Sequence, residues 1–402
     1  MKNGPINSNP MESDHIHKGS KTFWRASLAL AAGAFVTFAN LYSTQGLLPL
    51  FAEQFQLSPA VASLSLSVST AALALGLLFT PALSDRLGRK SVMLTSLALT
   101  TVLGFAVTFS QHFVLLLLLR GLQGLTLAGL ASIAMTYVNE EFDNRCRGLA
   151  MGLYVSGTAI GGMMGRIISG YLTELYDWPT ALQTLAFISL LCTLFFAWSL
   201  PVSQHFSPRH FSRQELIQGF AYHLKQPAQL GRFMHGFLLM GGLVTLYNYI
   251  GFRLQQPPYE LSESSLGALF SLYLLGIFSS TWLGAKADRY GSRPVLLLTI
   301  ALMLTGSLLS LSDHLAAIVI ALGLYTFGFF AAHSIVSSAC GQNAEHYKAQ
   351  ASALYLLFYY VGSSVLGAVG GYFWDHGQWP GVAGMVTTLV LMSGVIALRN
   401  KS

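Results

Sequence analysis

Charge is scarce in this sequence. Of 402 residues only 9% are charged, against 53% that are hydrophobic. Soluble domains carry about 25% charged residues, so a soluble chain of this length would lack the polar groups to cover its surface, and lipid must cover most of it. Cysteine is nearly absent as well. Cys146, Cys192 and Cys340 stand far apart without metal-ligand spacing, which excludes a disulfide framework and a zinc site. There is no Gly-x-x-x-x-Gly-Lys-Ser/Thr to cradle a nucleotide and no His-x-x-x-x-Asp of the kind a membrane-bound acyltransferase would need. An enzyme is therefore not expected, and no cofactor or metal is. Residues 1–22 are polar, rich in Asn, Ser, Pro and His, without the apolar core and cleavage site of a signal peptide. They read as a disordered cytoplasmic tail.

Long apolar runs are what the chain has instead. A bilayer core of about 30 Å takes about 20 apolar residues per helix. Twelve such runs are expected, at 26–50, 60–82, 91–110, 113–138, 147–172 and 180–200, and then at 232–254, 264–285, 294–312, 315–338, 349–373 and 381–398. Turn signals separate them at Ser58-Pro59, Trp178-Pro179, Pro257-Pro258, Arg293-Pro294 and Trp379-Pro380. Twelve spans place both termini on one side. With that count, all of the 22 basic residues except Arg120, Arg166 and Arg253 fall on the side of the termini, while Glu53, Glu174, Asp177, Glu260, Glu263, Asp313 and Asp375 fall opposite. The positive-inside rule makes the basic side cytoplasmic. The net charge of +6 is thus a topology signal, and nucleic acid is not expected as a partner.

The two halves of the chain repeat each other. Asp85-Arg86-Leu87-Gly88-Arg89 returns as Asp288-Arg289-Tyr290-Gly291-Ser292-Arg293, and Gly170-Tyr171 before Trp178-Pro179 returns as Gly371-Tyr372 before Trp379-Pro380. Tyr42 and Gly46 match Tyr247 and Gly251. The expected architecture is all-α and integral to the membrane: twelve transmembrane helices in two pseudo-symmetric six-helix bundles, residues 23–200 and 232–402, with a solute site between them near mid-membrane. Residues 201–231 link the bundles. There Ser212-Arg213-Gln214-Glu215 fits a capping box, and Leu216, Ile217, Phe220 and Leu224 share a helical face, so an amphipathic helix lying on the cytoplasmic membrane surface is expected.

Three motifs carry a resemblance. The first is Asp85-Arg86-Leu87-Gly88-Arg89-Lys90, with its copy containing Asp288, Arg289, Gly291 and Arg293. The second is Arg120-Gly121-Leu122-Gln123-Gly124 within the fourth run. The third is the glycine-rich segment Gly157, Gly161, Gly162 and Gly165 in the fifth run, where small residues every four positions let helices approach. Through these motifs the chain resembles the major facilitator superfamily over essentially residues 23–400, and within it the twelve-helix branch of proton-coupled drug and sugar exporters. It departs from the family pattern at Pro81 and at Gly162, where glycine and proline are usual. The resemblance implies a secondary transporter that rocks two bundles about a central cavity, with a small-molecule substrate, the proton gradient and the bilayer as partners. The Asp85 motif would latch the halves in the outward-facing state, and Arg120 would take part in proton coupling. A sugar or organic-anion transporter of either direction, or a transporter-like sensor that does not translocate, are the alternatives. Free cysteines and short loops point to a bacterial inner membrane, and a monomer is expected.

Arg166 adds something specific. Both Arg120 and Arg166 are expected about 10 Å below the surface opposite the termini, yet no Asp or Glu lies well inside any run. An arginine within a span costs about 2.5–3.5 kcal/mol on insertion scales, so both need partners. Either Glu53, hydroxyls and backbone carbonyls satisfy them, or they make the cavity electropositive, with Arg253 as a third positive group. Exporters of lipophilic cations carry an acid in an early span, and none is present here. Proton-coupling candidates are Glu53, Asp85 and His333, since histidine titrates near neutral pH. Gln123, the polar stripe Thr37, Asn40 and Thr44, the group Tyr247, Asn248 and Tyr249, and the tyrosines 355, 359 and 360 are candidate cavity residues.

Overall fold

The computed structural model describes residues 15–206 and 213–399, and among these every regular element is helical. In chain order the helices are α1 (Lys21–Tyr42), α2 (Leu48–Gln54), α3 (Pro59–Leu87), α4 (Arg89–Val107), α5 (Phe113–Glu141), α6 (Asn144–Leu175), α7 (Trp178–Ser199), α8 (Arg213–Leu224), α9 (Pro227–Leu254), α10 (Glu263–Ala268), α11 (Tyr273–Tyr290), α12 (Ser292–Leu309), α13 (Leu315–Gln342) and α14 (Lys348–Arg399). Among the described residues ten helical segments are long and apolar enough to cross a membrane. The last of these is two helices joined at Gln378, which has φ 47°. The glycine-rich α6, at 32 residues, is about 48 Å long and also spans. Together these make twelve crossings. Phe79, Phe109, Trp198 and Val102 are more than three-fifths exposed, a liability in water and the normal surface of a protein in lipid.

In the first half α1 packs on α6 and α7, and α3 and α4 on α5; in the second, α9 packs on α14, and α11 and α12 on α13. Small residues set the closest approaches. A Cβ on Gly157, Gly161 or Gly165 would run into the backbone of Ala31, Phe35 or Ala39 on α1, and one on Gly362 into that of Phe237 on α9. With lipid no less apolar than leucine, such close backbone packing is what draws these helices together. Gly162 lies off this seam, and a Cβ there meets only ordinary contacts, the nearest at 3.6 Å.

Two expected spans are broken. The first does not run through 26–50. α1 stops at Tyr42, a 3-10 turn occupies Gln45–Leu47, and α2 resumes with Pro49 in its first turn. Pro49 cannot donate a helical backbone bond, which places the break upstream of it. The eighth breaks likewise, α10 and α11 being separated by a 3-10 turn at Leu269–Leu272.

At the face where the described part of the chain begins and ends, hereafter the terminal face, the repeat is exact in backbone. Gly88 (φ 89°) and Gly291 (φ 91°) occupy a left-handed turn that favours glycine. Behind each glycine a cation reaches the end of its own half's last helix: Lys90 bonds the Leu200 carbonyl and Arg293 the Leu398 carbonyl, at 2.7 Å. Of the disordered tail expected over 1–22, residues 1–14 lie outside the described residues, and the part that is described is ordered. Ile16 bridges Phe142, its amide donating to the Glu141 carbonyl at 2.8 Å, and α1 already begins at Lys21, capped by Ser20. The capping box lies outside the described residues at Ser212. α8 itself packs on α14 and α9 rather than resting on lipid alone. His223 is buried and reaches the Tyr347 carbonyl at 3.1 Å, while Ile217 and Leu224 stay exposed.

The seam makes a sharp contrast testable. Gly161→Leu must push α6 off α1 and is expected to cost about 1–3 kcal/mol or prevent assembly. Gly162→Ala is expected to leave the melting temperature of the detergent-solubilised protein unchanged. Equal behaviour of the two would refute the assigned seam.

Candidate functional site

The break in α1 creates a problem that Arg120 solves. A helix that ends inside a membrane leaves carbonyls without partners. Arg120, 1% exposed, donates from Nη1 to the Asn40 carbonyl at 2.8 Å, from Nη2 to the Leu41 carbonyl at 2.7 Å and from Nε to the Ser65 carbonyl of α3 at 3.2 Å. Gln123 Oε1 accepts a further bond at 2.6 Å, and Thr44 Oγ1 lies at 3.5 Å. The guanidinium thus ties α5 to α1 and α3. Asn40 faces the interior of the first bundle and not the space between halves: it donates to Ser189 at 2.8 Å and accepts from Gln123 at 3.2 Å. The stripe formed with Thr37 and Thr44 is a packing face.

Arg166 has a different environment. It is also 1% exposed, and its partners are neutral. Nε and Nη2 both donate to Gln45 Oε1, at 2.8 and 2.5 Å, and Nη1 donates to the Gly162 carbonyl at 2.6 Å. The guanidinium carbon stands 4.1 Å from the ring centre of Tyr42, 4.5 Å from that of Phe270 and 5.0 Å from that of Tyr273, within cation–π range. Tyr42 and Gln45 belong to the α1 break, Phe270 and Tyr273 to the break between α10 and α11. The two interrupted helices therefore enclose Arg166 from opposite halves. Gln45 Nε2 continues across to Asn248 Oδ1 on α9 at 2.8 Å. Among the described residues Asn248 Nδ2, fully buried, has no partner. Tyr247 stacks on Phe270 at 5.0 Å and bonds Thr326 at 2.7 Å.

From this point an aromatic lining descends toward the terminal face. Tyr273 meets Phe330 at 5.2 Å. His333, partly exposed, bonds the Tyr355 hydroxyl at 2.8 Å and lies 4.7 Å from the Tyr359 ring, which meets Tyr360. On α1 the same face runs from Tyr42 and Phe38 to Leu28 and Trp24, both about half exposed. The halves touch on the side away from the termini. Hydrogen bonds between them include Gln45–Asn248, Ser364–Ser67 and Ser264–Glu174; Gly371 also abuts Ala60 and Gly267 the Arg166 carbonyl. These contacts close the space between the halves on the side away from the termini.

Other expected residues sit elsewhere. Glu53 is exposed at the end of α2 and, among the described residues, pairs with neither arginine, because carbonyls and an amide already occupy them. Arg253 is no third cavity cation: it fastens α9 to the loop after α12 through the Ser310 and Ser312 carbonyls, at 2.5 and 2.8 Å, and through Asp313 at 3.2 Å. Asp85 is held within its own half, 2.6 Å from Arg89, which Glu140 also grips at 2.9 and 3.0 Å. Arg86 is exposed, and Asp288 and Arg289 make no ion pair among the described residues. Sequence reasoning missed Gln45, Tyr42 as a cation partner, Phe270 and Tyr273. A lone amide, Gln45, directly before Gly46 and four residues before Pro49, was the available signal.

Arg120→Ala would leave three buried carbonyl contacts unmade, at about 1–3 kcal/mol for each unsatisfied group. A marked fall in melting temperature is expected, with little rescue by Arg120→Lys, whose single ammonium cannot span the same carbonyls. An unchanged melting temperature would show that the α1 break does not depend on this side chain.

Comparison with known proteins agrees with this architecture. The family model for the Major Facilitator Superfamily matches residues 30–365 and 256–401. The chain is 44% identical over 391 residues to the MFS-type transporter YybF of Bacillus subtilis, covering 96% of this chain and 97% of that one. It is 42% identical over 384 residues to the inner membrane transport protein YnfM of Escherichia coli, covering 96% and 92%. Among solved structures, the nucleoside transporter NupG aligns with a TM-score of 0.74 at 17% identity, over 92% of this chain and 99% of that one. The peptide transporter POT, in complex with sulfate, aligns at 0.73 and 14%, over 93% and 94%; at such identities these likenesses concern the fold alone. A multi-pass helical protein matched along nearly its whole length to transporters is not an enzyme: the chain belongs to the Major Facilitator Superfamily of membrane transporters.

Proposed function

We propose that this chain is an exporter of small organic solutes that are neutral or anionic, driven by the return of protons. The observation that carries this reading is the pair of buried arginines, Arg120 and Arg166, in spans whose carboxylates all lie at helix ends or in loops. A buried cation without a counter-charge repels a cationic drug and attracts an anion or a strong hydrogen-bond acceptor. The aromatic lining offers apolar contact to a solute's body. The excess of basic residues supports a cytoplasmic terminal face, and with the halves joined on the opposite side the cavity would be entered from the cytoplasm of a bacterial inner membrane. The resemblance of the Gly157–Gly165 seam to that of proton-coupled exporters favours the outward direction. His333, which borders the cavity between Tyr355 and Tyr359, is the side chain suited to carry the proton. One polypeptide contains both halves of the cavity, so a monomer suffices.

The test uses inside-out vesicles with an acidic interior, a pH-sensitive dye, and a panel of sugars, amino acids, organic anions and cationic drugs. A neutral or anionic compound is expected to release protons from vesicles holding the wild-type protein. His333→Gln is expected to abolish that release while leaving solute counterflow. Proton release by the cationic drugs alone would overturn the proposed selectivity; bound solute with no flux would favour a sensor.

A further inference from the structure

Arg166 does more than give the cavity its sign. We infer that Arg166 is the recognition site for a single carboxylate on an aromatic solute, and that the same carboxylate opens the closed gate by taking the place of Gln45. This rests on the transport reading above and names both its substrate class and its trigger.

Gln45 occupies the position of a substitute carboxylate. One oxygen, Oε1, accepts from both Nε and Nη2 of Arg166, the edge of a guanidinium that a carboxylate's two oxygens match with parallel bonds. A neutral amide oxygen is a weaker partner for a buried cation than an anion is, because charge-assisted bonds are about twice as strong as neutral ones. The rest of the guanidinium is fixed by Gly162 and by three aromatic faces, so the cation stays in place when its acceptor is exchanged. Arg120, with its donors committed to carbonyls, does not compete for the anion. Among the described residues Arg166 is the one span arginine whose side-chain acceptor is exchangeable, so it selects one negative charge, and the rings that begin at Tyr273 and Phe330 and continue to Tyr359 and Tyr360 suit an aromatic body.

The displaced group is also the gate. Gln45 is bonded to Asn248 of the other half, beside a small void lined by Gly46, Pro49, Tyr247 and Leu266. Asn248 Nδ2 is buried without a partner, so this cross-half contact leaves a donor unpaired and is poised to rearrange. When a carboxylate claims Nε and Nη2, the Gln45 amide turns away from Arg166, the chain Arg166–Gln45–Asn248 is cut, and the halves lose one of the hydrogen bonds that hold them together. The solute thereby signals its own arrival to the far side of the membrane.

The experiment uses the full chain in lipid nanodiscs. Binding of benzoate and 1-naphthoate is measured by calorimetry against their alcohols, benzyl alcohol and 1-naphthalenemethanol. Gate opening is read as the alkylation rate of Leu266→Cys in a background without the native cysteines, using a hydrophilic maleimide. At least one carboxylate is expected to bind about tenfold or more tightly than its alcohol and to raise the alkylation rate. Arg166→Gln should erase the preference, and Arg166→Lys should keep part of it. Gln45→Ala and Asn248→Ala should raise alkylation without ligand, which keeps the test decisive where an Arg166 variant does not assemble. No preference for either carboxylate, or a rate that no carboxylate changes, overturns the inference. Proton-coupled flux of some other solute unaffected by Arg166→Lys would overturn it while leaving the transport reading intact. Carboxylate binding and gate opening without flux would sink the transport reading and leave this one standing.

Discussion

A helix cannot end inside hydrocarbon unless something accepts the hydrogen-bonding duty of its last turn, and the rest of this molecule depends on how that duty is met at the end of α1. Arg120 meets it by bonding the Asn40 and Leu41 carbonyls from a neighbouring helix. The chain is then free to turn at Gln45–Leu47 and to present Gln45 sideways, toward Arg166 on one side and Asn248 on the other. An unbroken first helix would offer no such group at this depth. Two buried arginines therefore have different tasks. The one bonded to carbonyls builds the backbone on which the one bonded to an amide can act.

The same economy governs how the halves meet. Their polar contacts are small, an amide pair and a serine on a carbonyl, and they sit beside close packing of α3 on α14 and of α6 on α10, with glycines against alanine or backbone. None is a charged pair buried in the spans, whose rupture would be strongly destabilising. Within each half, by contrast, helices are locked by glycine seams and by cations bonded to helix ends. Bundles locked internally and joined without a buried ion pair suit a rocking mechanism, because the motion must break the joint and spare the bundles.

At the terminal face the Arg89–Asp85–Glu140 cluster stays within the first half. That is consistent with a state in which this face is open, since the motif then has nothing across the gap to hold. The N-terminal segment at Ile16 and the linker at His205 both fasten to the end of α5, His205 at 3.0 Å from Glu141 through its amide. The linker helix α8 fastens instead to the second half through His223. The connection between bundles is thus anchored at both ends.

Much of this was legible in the residues. Apolar runs of membrane length, cations gathered on one side and a duplicated Asp-Arg-x-Gly turn determine twelve crossings and two related halves, because bilayer thickness and the cost of burying charge leave few alternatives. The importance of Arg120 and Arg166 was equally plain from their depth. Their partners were not. Hydropathy averages over a span and cannot register the turn at Gln45–Leu47 or the one at Leu269–Leu272, the second made of residues that suit a helix. Nor could it tell that Asn40 faces inward while Gln45 reaches across, or that Arg253 is spent on the loop carbonyls of Ser310 and Ser312. The direction of a side chain around a helix depends on what packs against it, and the aromatic enclosure of Arg166 gathers Tyr42, Phe270 and Tyr273 from two halves of the chain. Periodicity fixes which residues share a face; only the tertiary structure decides what that face meets.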